Sequence, residues 1–259
     1  MLAPYSVGNT RGRDIGCQVL KTKQTCLALV KRKPKILIFC LQNPFTFVLT
    51  LMNPTKEVYI VRHGQTEFNR QGIIQGRGIN SSLNEQGHRQ AACFYQAYRH
   101  VPFEFLISST LKRTQQTLQP FMEHGLPSLA LPELDEISWG AMEGKTEVHE
   151  WDSTFREMTA RWAAGELDFS APGGESPIAL QKRQLIMLGI LKNIPAQKIL
   201  IASHGRYIRA LMCTITGTSL SRMETFEHTN LCLYKIDLHQ DDWKLVLKDE
   251  RSHLKDLME

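Results

Sequence analysis

Residues 58–69 read VYIVRHGQTEFN, an apolar run that ends in the charged pair Arg62-His63 and then Gly64. The β-branched and aromatic residues at the start predict a buried strand, and the glycine predicts a turn after it. Ligands of open α/β sheets lie beyond the carboxyl ends of the strands. Arg62 offers a planar guanidinium for phosphate oxygens, and His63 offers a neutral nitrogen that can attack phosphorus. This stretch therefore predicts an α/β fold and a site for a phosphoryl group.

A second stretch, residues 199–205 with the sequence ILIASHG, repeats the pattern of an apolar strand followed by histidine and glycine. Two such strands in one chain are much less expected by chance than one. His204 is therefore a second candidate for the phosphoryl site, and a role as a cap or hydrogen-bonding group within the sheet is the alternative. Arg206, two residues later, either adds positive potential near the site or points to solvent.

A third candidate lies in residues 105–117, FLISSTLKRTQQT, which predict a strand, a short run of small hydroxyl residues and a helix. This arrangement offers backbone amides to an anion. Arg113 falls in the first helical turn, where a cation opposes the helix dipole, so a bound anion would compensate its cost. A solvated surface arginine is the alternative interpretation.

Strands and helices alternate through the rest of the chain, which predicts a three-layer α/β/α sandwich with a mostly parallel central sheet. Asn84 and Ser176 are good N-caps for helices over about 85–100 and 177–193. Alternating patterns at residues 230–236 and 243–247 predict a terminal hairpin.

A further amphipathic helix is expected over 147–167, where four large apolar side chains recur at helical spacing. They are Trp151, Phe155, Met158 and Trp162. This face either packs into the core or covers the substrate pocket.

Residues 62–69 resemble the signature of the histidine phosphatase superfamily, in its phosphoglycerate mutase-like branch, and the resemblance extends from about Glu57 to about Leu247. It implies that His63 is the nucleophile and that three groups bind the phosphoryl oxygens, namely Arg62, Arg113 and His204. It also implies substrate contacts from Asn69, Gln75 and Gly76, although Gln75 and Gly76 also fit an ordinary surface loop.

Residues 134–144, LDEISWGAMEG, are similar to the family pattern around its general acid, Leu-x-Glu-x-x-x-Gly-x-x-Glu-Gly. The resemblance implies that Glu136 is the acid. Glu143 ranks second, and Asp135 is a neighbour that could be mistaken for it.

The implied reaction is hydrolysis of a small phosphorylated metabolite through a phosphohistidine on His63, with Glu136 protonating the leaving group and then activating water. We expect no metal and no cofactor, because no metal-ligand spacing is present. Cofactor-dependent phosphoglycerate mutases carry an arginine directly after the acid and a longer basic insertion beyond it. Here Ile137 follows the acid and the insertion holds few cations, which favours a phosphatase over phosphoglycerate mutase-type transfer. A further alternative is a non-catalytic protein that only binds phosphorylated ligands, but such a protein would have no need of the acid Glu136. The sequence leaves the substrate and the oligomeric state open.

Charge is distributed unevenly along the chain. Residues 1–56 hold nine Lys or Arg and a single acid, Asp14, whereas the whole chain has a net charge of +5. The body is therefore mildly acidic, and the basic balance does not indicate a nucleic-acid partner. The six cysteines form no CxxC pair, which suits a reducing compartment, and we expect a cytoplasmic protein.

The first segment, residues 1–55, is expected to be a disordered or non-native extension, followed by a catalytic domain over 56–250 and a charged, fraying tail over 251–259. Residues 36–52 are mostly apolar and follow a basic cluster. A membrane anchor and a targeting segment are therefore alternatives, although Gln42-Asn43-Pro44 interrupts the run and it is short for a spanning helix. Native translation starting at Met52 is also compatible with the sequence, and a membrane role for the catalytic domain is not expected.

Overall fold

The computed structural model describes residues 17–22, 25–30, 36–40, 47–51, 55–145, 150–239 and 242–257. The chain divides into two compact units, Met1–Pro54 and Thr55–Glu259. The assignment of residues 1–55 as a disordered or non-native extension stays a prediction.

The first unit contains two antiparallel hairpins. Strand β1 (Cys17–Thr22) pairs with β2 (Thr25–Val30), and β3 (Ile36–Cys40) pairs with β4 (Phe47–Leu51). The polar interruption at residues 42–44 lies outside the described residues. Among the helices in the described part of the chain, none has the length and apolar character needed to cross a bilayer.

Six strands form the sheet of the second unit. In chain order they are β5 (Lys56–Arg62), β6 (Phe105–Ser108), β7 (Ser128–Ala130), β8 (Lys198–Ser203), β9 (Leu233–His239) and β10 (Asp242–Glu250). Their spatial order is β10-β9-β5-β8-β6-β7. Strands β5, β8, β6 and β7 run parallel, whereas β9 and β10 are antiparallel to their neighbours. The predicted α/β fold with a mostly parallel sheet is confirmed.

Six α-helices and four 3-10 helices complete the described part of this unit. The α-helices are α1 (Glu67–Arg70), α2 (Glu85–Tyr98), α3 (Lys112–Met122), α4 (Glu150–Ala163), α5 (Pro177–Asn193) and α6 (Gly205–Thr216). The 3-10 helices are Pro132–Leu134, Gly140–Met142, Leu220–Thr225 and Ser252–Leu257.

The two faces of the sheet bury two different apolar clusters, because successive side chains of a strand point to opposite faces. Val58 and Ile60 of β5 belong to one cluster, together with residues of α4, α5 and α6. Val61 belongs to the other, together with Phe94 of α2 and Leu118 of α3. Helices therefore cover both faces, as the predicted three-layer sandwich requires.

The predicted helix starts are present. The side chains of Asn84 and Ser176 accept hydrogen bonds from the backbone of Gly87 and Ala179, which caps α2 and α5. Helix α4 is shorter than expected, spanning Glu150–Ala163, and residues 146–149 lie outside the described part of the chain.

The end of the chain differs from the frayed tail that its charge suggests. Residues Ser252–Leu257 form a 3-10 helix, and Leu254 is buried against the cluster on the α2 side of the sheet. The ring of His253 bonds the carbonyl of Leu231 at 3.0 Å and packs against Phe94 at 5.2 Å between ring centres. Leu254 anchors this segment, because the free energy gained by burying its apolar side chain offsets the entropy lost when its neighbours become ordered.

Candidate active site

The two histidines of the predicted site lie at the carboxyl ends of adjacent parallel strands. Arg62, the last residue of β5, pairs in register with Ser203, the last residue of β8, so His63 and His204 leave the sheet side by side. Their ring centres are 5.2 Å apart, and both side chains are buried. The topology therefore brings together two residues that are far apart in the sequence.

His63 has a defined tautomer. Its Nδ1 lies 2.7 Å from the carbonyl oxygen of Gly64, and because a carbonyl only accepts, Nδ1 carries the hydrogen. Burial lowers the pKa of His63 well below its ordinary value, and the positive charges of Arg113 and Arg62 lower it further. The ring is therefore neutral, and its Nε2 has a free lone pair.

Backbone contacts fix the turn that carries His63. Asn230 donates its side-chain amide to the His63 carbonyl at 2.9 Å, and the backbone N–H of Gly64 donates to the hydroxyl of Thr117 at 3.0 Å. The loop that follows β5 is thus held by Asn230, which precedes β9, and by Thr117 of α3.

Arg113 is fully buried beside His204. Its NH1 and NH2 groups donate to the carbonyls of Ile79 at 2.6 Å and Gly76 at 3.3 Å, which aims the guanidinium at the histidines. Burial lowers the pKa of Arg113 to about 10, so it stays cationic at neutral pH. The interpretation of Arg113 as a solvated surface residue is wrong, because the structure places it in the interior.

Arg62 lies on the other side of His63. One of its NH groups donates to the backbone carbonyl of His228. Its Nε is buried and has no hydrogen-bond partner among the described residues. A buried donor without a partner is costly, so an oxygen atom of a ligand would be stabilised there.

Glu136 occupies the amino terminus of α6. Its two carboxylate oxygens accept from the backbone N–H groups of Arg206 at 3.1 Å, Tyr207 at 2.9 Å and Ile137 at 3.0 Å. The first turn of a helix offers unpaired N–H groups and a positive dipole end, so it holds a carboxylate in place. The same helix begins one residue after His204, which sets the acid and the second histidine against each other.

The two neighbouring carboxylates have other partners. Asp135 accepts from the backbone and hydroxyl of Thr110 at 2.9 and 2.8 Å and pairs with Arg77. Glu143 accepts from the backbone of Trp139 at 3.1 Å, and burial raises its pKa. Glu136, but neither of these two, lines the cleft beside His63.

The cleft has a volume of about 130 Å³. Its wall includes Arg62, His63 and Glu136 and two of the predicted substrate contacts, Asn69 and Gln75. Arg113 and His204 lie behind this wall and do not line the cleft. Gly76 is not part of the wall, and its carbonyl supports Arg113 instead. A side chain at Gly76 would collide with Glu143, because a Cβ would lie 2.0 Å from its Oε1.

The aromatic face predicted for the helix over 147–167 serves both of the proposed purposes. Met158 and Trp162 are buried in the core, whereas Phe155 lines the cleft together with Trp139. The side chain of Trp151 lies outside the described part of the chain.

Sequence patterns did not indicate Arg183. This residue of α5 donates to the carbonyls of Glu133 and Asp135, both at 2.8 Å, and to that of Glu136 at 3.3 Å. It also forms a half-buried ion pair with Glu175 at 2.8 Å. Arg183 therefore fixes the backbone that carries the candidate acid.

His228 is a second residue that the sequence did not single out. Its ring lines the cleft and lies so close to Gly205 that a Cβ there would be 2.5 Å from the ring. Burial, followed by the charge of Arg62, lowers the pKa of His228, so it is a neutral wall residue. No periodicity or motif marks the loop that carries it.

Within residues 55–145, 150–239 and 242–257, no three His, Cys, Asp or Glu side chains form a group that could hold a metal ion. The polar groups of the cleft are thus two arginines, one carboxylate, histidines and amides. Such a set can bind an anion, offer an imidazole lone pair and transfer a proton.

Comparison with known proteins agrees with this geometry. The sequence profile of the histidine phosphatase superfamily, branch 1, matches residues 58–250. The chain is 28% identical over 205 residues to "Putative phosphoserine phosphatase 2" of Hydrogenobacter thermophilus, covering 78% of this chain and 99% of that protein. It is 31% identical over 189 residues to "Probable phosphoglycerate mutase GpmB" of Yersinia pestis, covering 72% of this chain and 87% of the relative.

A solved structure, the alpha-ribazole phosphatase from Shigella flexneri, superimposes with a TM-score of 0.65 at 26% identity, covering 75% of this chain and 96% of that chain. The paired histidines, the buried arginine and the acid at the start of α6 lie within the matched region. From its sequence and its fold together, the chain belongs to the histidine phosphatase superfamily.

Proposed function

We propose that this protein is a metal-independent phosphomonoesterase that hydrolyses a small phosphorylated metabolite through a phosphohistidine on His63. The observation that carries the proposal is the hydrogen bond from His63 Nδ1 to the Gly64 carbonyl at 2.7 Å. It leaves Nε2 unprotonated in a buried ring beside Arg62 and Arg113. A neutral imidazole is the form that attacks phosphorus.

In the first step, the lone pair of His63 Nε2 forms a bond to phosphorus while the ester P–O bond breaks. Glu136 gives its proton to the departing oxygen, so the alcohol leaves neutral. The unpartnered Nε of Arg62 and the guanidinium of Arg113 stabilise the charge on the equatorial oxygens, and His204 accepts from Arg113 Nε and so orients that guanidinium.

In the second step, water attacks the phosphohistidine and the P–N bond breaks. Glu136 takes the proton of the attacking water, and inorganic phosphate leaves. Glu136 thus acts as acid and then as base, and each cycle returns both residues to their starting states.

Phosphoglycerate mutase-type transfer is the alternative, and one relative at 31% identity carries a mutase name. A mutase must keep water from the phosphohistidine and hold a carboxylated substrate. The presence of Ile137 directly after the acid and the few cations beyond it support hydrolysis. A protein that only binds phosphorylated ligands is the third possibility.

The experiment is phosphate release from a panel of phosphomonoesters in the presence of EDTA, together with trapping of an acid-labile phosphoenzyme. Wild type is compared with His63→Ala and with His100→Ala, a matched control at an exposed histidine. We expect EDTA-resistant release and labelling in wild type and His100→Ala, and neither in His63→Ala.

The panel includes 3-phosphoglycerate and its 2-isomer. Interconversion of these isomers without phosphate release would assign a mutase instead. Phosphate release that His63→Ala retains would overturn the proposed nucleophile, and EDTA-sensitive release would overturn metal independence.

A further inference from the structure

Arg206 is the second residue of α6 and lies in the wall of the cleft. Its backbone N–H donates to Glu136 Oε2 at 3.1 Å, so the candidate acid and this arginine are in direct contact. Its guanidinium carbon lies 5.5 Å from the ring centre of Trp139 and 5.6 Å from that of Trp162. Stacking on two indoles holds a planar guanidinium in one orientation.

Arg206 shares its ion-pair partner with a second arginine. Its NH1 pairs with Glu224, and the other carboxylate oxygen of Glu224 pairs with Arg209. Two guanidinium groups, with side chains only 7% and 10% exposed, therefore share one carboxylate that is 50% exposed. Poorly solvated cations are stabilised by nearby anions, so a ligand oxygen would be stabilised beside Arg206.

The two arginines use their remaining donors differently. Arg209 Nε donates to the carbonyl of Phe226 at 2.7 Å, and Arg209 does not line the cleft. For Arg206, neither Nε nor NH2 makes a hydrogen bond to any residue of the described part of the chain, and the side chain faces the cleft. The Nε and NH2 donors of Arg206 are therefore available to a ligand.

We infer that Arg206 is a specificity-determining residue that binds an anionic group, a carboxylate or a second phosphate, on the leaving group of the substrate. The inference rests on the proposed function, because that function places the departing oxygen at Glu136. The leaving group begins where Glu136 protonates it, and Arg206 borders that carboxylate. Trp139 and Phe155 form the apolar wall beside it.

This assignment gives the arginines of the site two different roles. Arg62 and Arg113 flank the histidine that would receive the phosphoryl group, and Arg206 flanks the acid that would release the alcohol. The preferred substrates are therefore compact phosphomonoesters with a second negative charge close to the ester oxygen, rather than phosphate esters of neutral alcohols or sugars.

The test compares substrates that differ only in the second anionic group. Phosphoserine is paired with phosphoethanolamine, which lacks the carboxylate. Likewise, 3-phosphoglycerate and glycerol 2,3-bisphosphate are each paired with glycerol 3-phosphate, so that a carboxylate and a second phosphate are distinguished. The proteins are wild type, Arg206→Gln, Arg206→Lys and the matched control Arg209→Gln, which removes a charge from the same ion cluster on the same helix.

We expect wild type to prefer the anionic member of at least one pair, and Arg206→Gln to lower kcat/KM for that member by about 10- to 100-fold, the range for one charge-assisted hydrogen bond. Its kcat/KM for the member without the second anionic group should fall by a much smaller factor, and Arg206→Lys should retain part of the preference. Arg209→Gln should leave the ratio between paired substrates unchanged. An equal loss on both members would overturn the inference, as would a preference that survives Arg206→Gln.

The proposed function can fail separately. If wild type hydrolyses none of the esters, the hydrolytic assignment is wrong, and calorimetric binding of the same paired compounds decides the role of Arg206. Tighter binding of the anionic member that disappears in Arg206→Gln, but not in Arg209→Gln, would then support the anion site, and equal binding would overturn it.

Discussion

Nε of Arg113 lies 3.2 Å from Nδ1 of His204, deep between β6, β8 and the helices that follow them. Because a guanidinium only donates, Nδ1 of His204 accepts, and the hydrogen of this ring is on Nε2, which lies 2.8 Å from the hydroxyl of Ser109. Burial, followed by the charge of Arg113, lowers the pKa of His204 well below its ordinary value. The pair therefore consists of one fixed positive charge and one neutral imidazole that uses both of its nitrogens to hold Arg113 and Ser109.

The first prediction concerns the fork of Arg113, that is, the hydrogen-bond donors of its planar guanidinium. Arg113→Lys keeps a positive charge but cannot reach His204, the Ile79 carbonyl and the Gly76 carbonyl together. We expect kcat/KM for phosphate release to fall by about 10²- to 10³-fold, the cost of one lost transition-state donor. The neighbouring exposed residue provides the control, since Lys112→Gln removes a charge from the start of α3 but leaves the hydrogen bonds of Arg113 in place, and it should leave the rate unchanged. A rate for Arg113→Lys within twofold of wild type would contradict the role assigned to the fork.

The second prediction concerns Glu136 as the proton donor. Glu136→Gln keeps one of the two acceptor oxygens but removes the acid, so kcat/KM for alkyl phosphates should fall by about 10²- to 10⁴-fold. The fall should be much smaller for p-nitrophenyl phosphate, because nitrophenolate leaves without a proton and kcat/KM reports the first chemical step. Initial rates on both ester types measure the difference.

Glu143→Gln is the matched control for this experiment, since Glu143 was the second candidate for the acid. It should leave the ratio between the two ester types unchanged. Equal losses on alkyl and nitrophenyl esters in Glu136→Gln would show that the residue shapes the site without donating the proton.

The third prediction concerns pH and the two buried histidines. The pKa values of His63 and His204 are lowered in the folded protein, whereas in the unfolded chain they are near 6.5. Below pH 6.5 the unfolded chain therefore binds protons that the folded protein does not, and the free energy of unfolding falls as pH falls. Each buried histidine contributes a slope of about 1.4 kcal/mol per pH unit in this window.

Urea unfolding of wild type and His204→Asn at a series of pH values from about 7.5 to about 5 measures this slope. We expect the variant to lose stability less steeply with falling pH, because one of the histidines with a lowered pKa is gone. His100→Asn, at an exposed histidine, should keep the wild-type slope. A steeper slope in His204→Asn than in wild type would contradict the direction given for its pKa.

Local patterns in the sequence predicted the parts of the site that lie at the ends of strands. Apolar runs before His63 and His204 indicate β5 and β8, and neighbouring parallel strands bring their carboxyl ends together. Arg113 could be placed for a related reason, because its unusual position at the start of a helix called for an anion. The prediction thus came from residues whose local context is informative.

The supporting residues could not be found in this way because their contacts are long-range. Arg183 contacts Glu136 across 47 positions of the chain, and within α5 it looks like an ordinary helical arginine. Helix α1 was also missed, because four residues give no periodicity, although the Thr66 and Asn69 side chains form a capping box. Asn69 consequently has a structural partner as well as a place in the cleft wall.

The fourth prediction concerns Gly87, which lies in the first turn of α2. It lies against the turn that carries His63, and an added Cβ would be 2.1 Å from the carbonyl oxygen of Gln65. Gly87→Ala must therefore push residues 64–65 away from α2, and we expect the free energy of unfolding to fall by about 1–3 kcal/mol, the range for overpacking. Catalytic turnover should fall with it, because Gly64 holds Nδ1 of His63.

Gly189 provides the matched control, since it also lies within a helix, α5, but an added Cβ there meets nothing within 4 Å. Gly189→Ala should raise the free energy of unfolding by up to about 1 kcal/mol, because alanine is the better helix former, and should leave turnover unchanged. Urea titrations and initial rates of both variants measure these effects. A Gly87→Ala protein as stable and as active as Gly189→Ala would contradict the inference that close backbone packing of α2 positions the His63 turn.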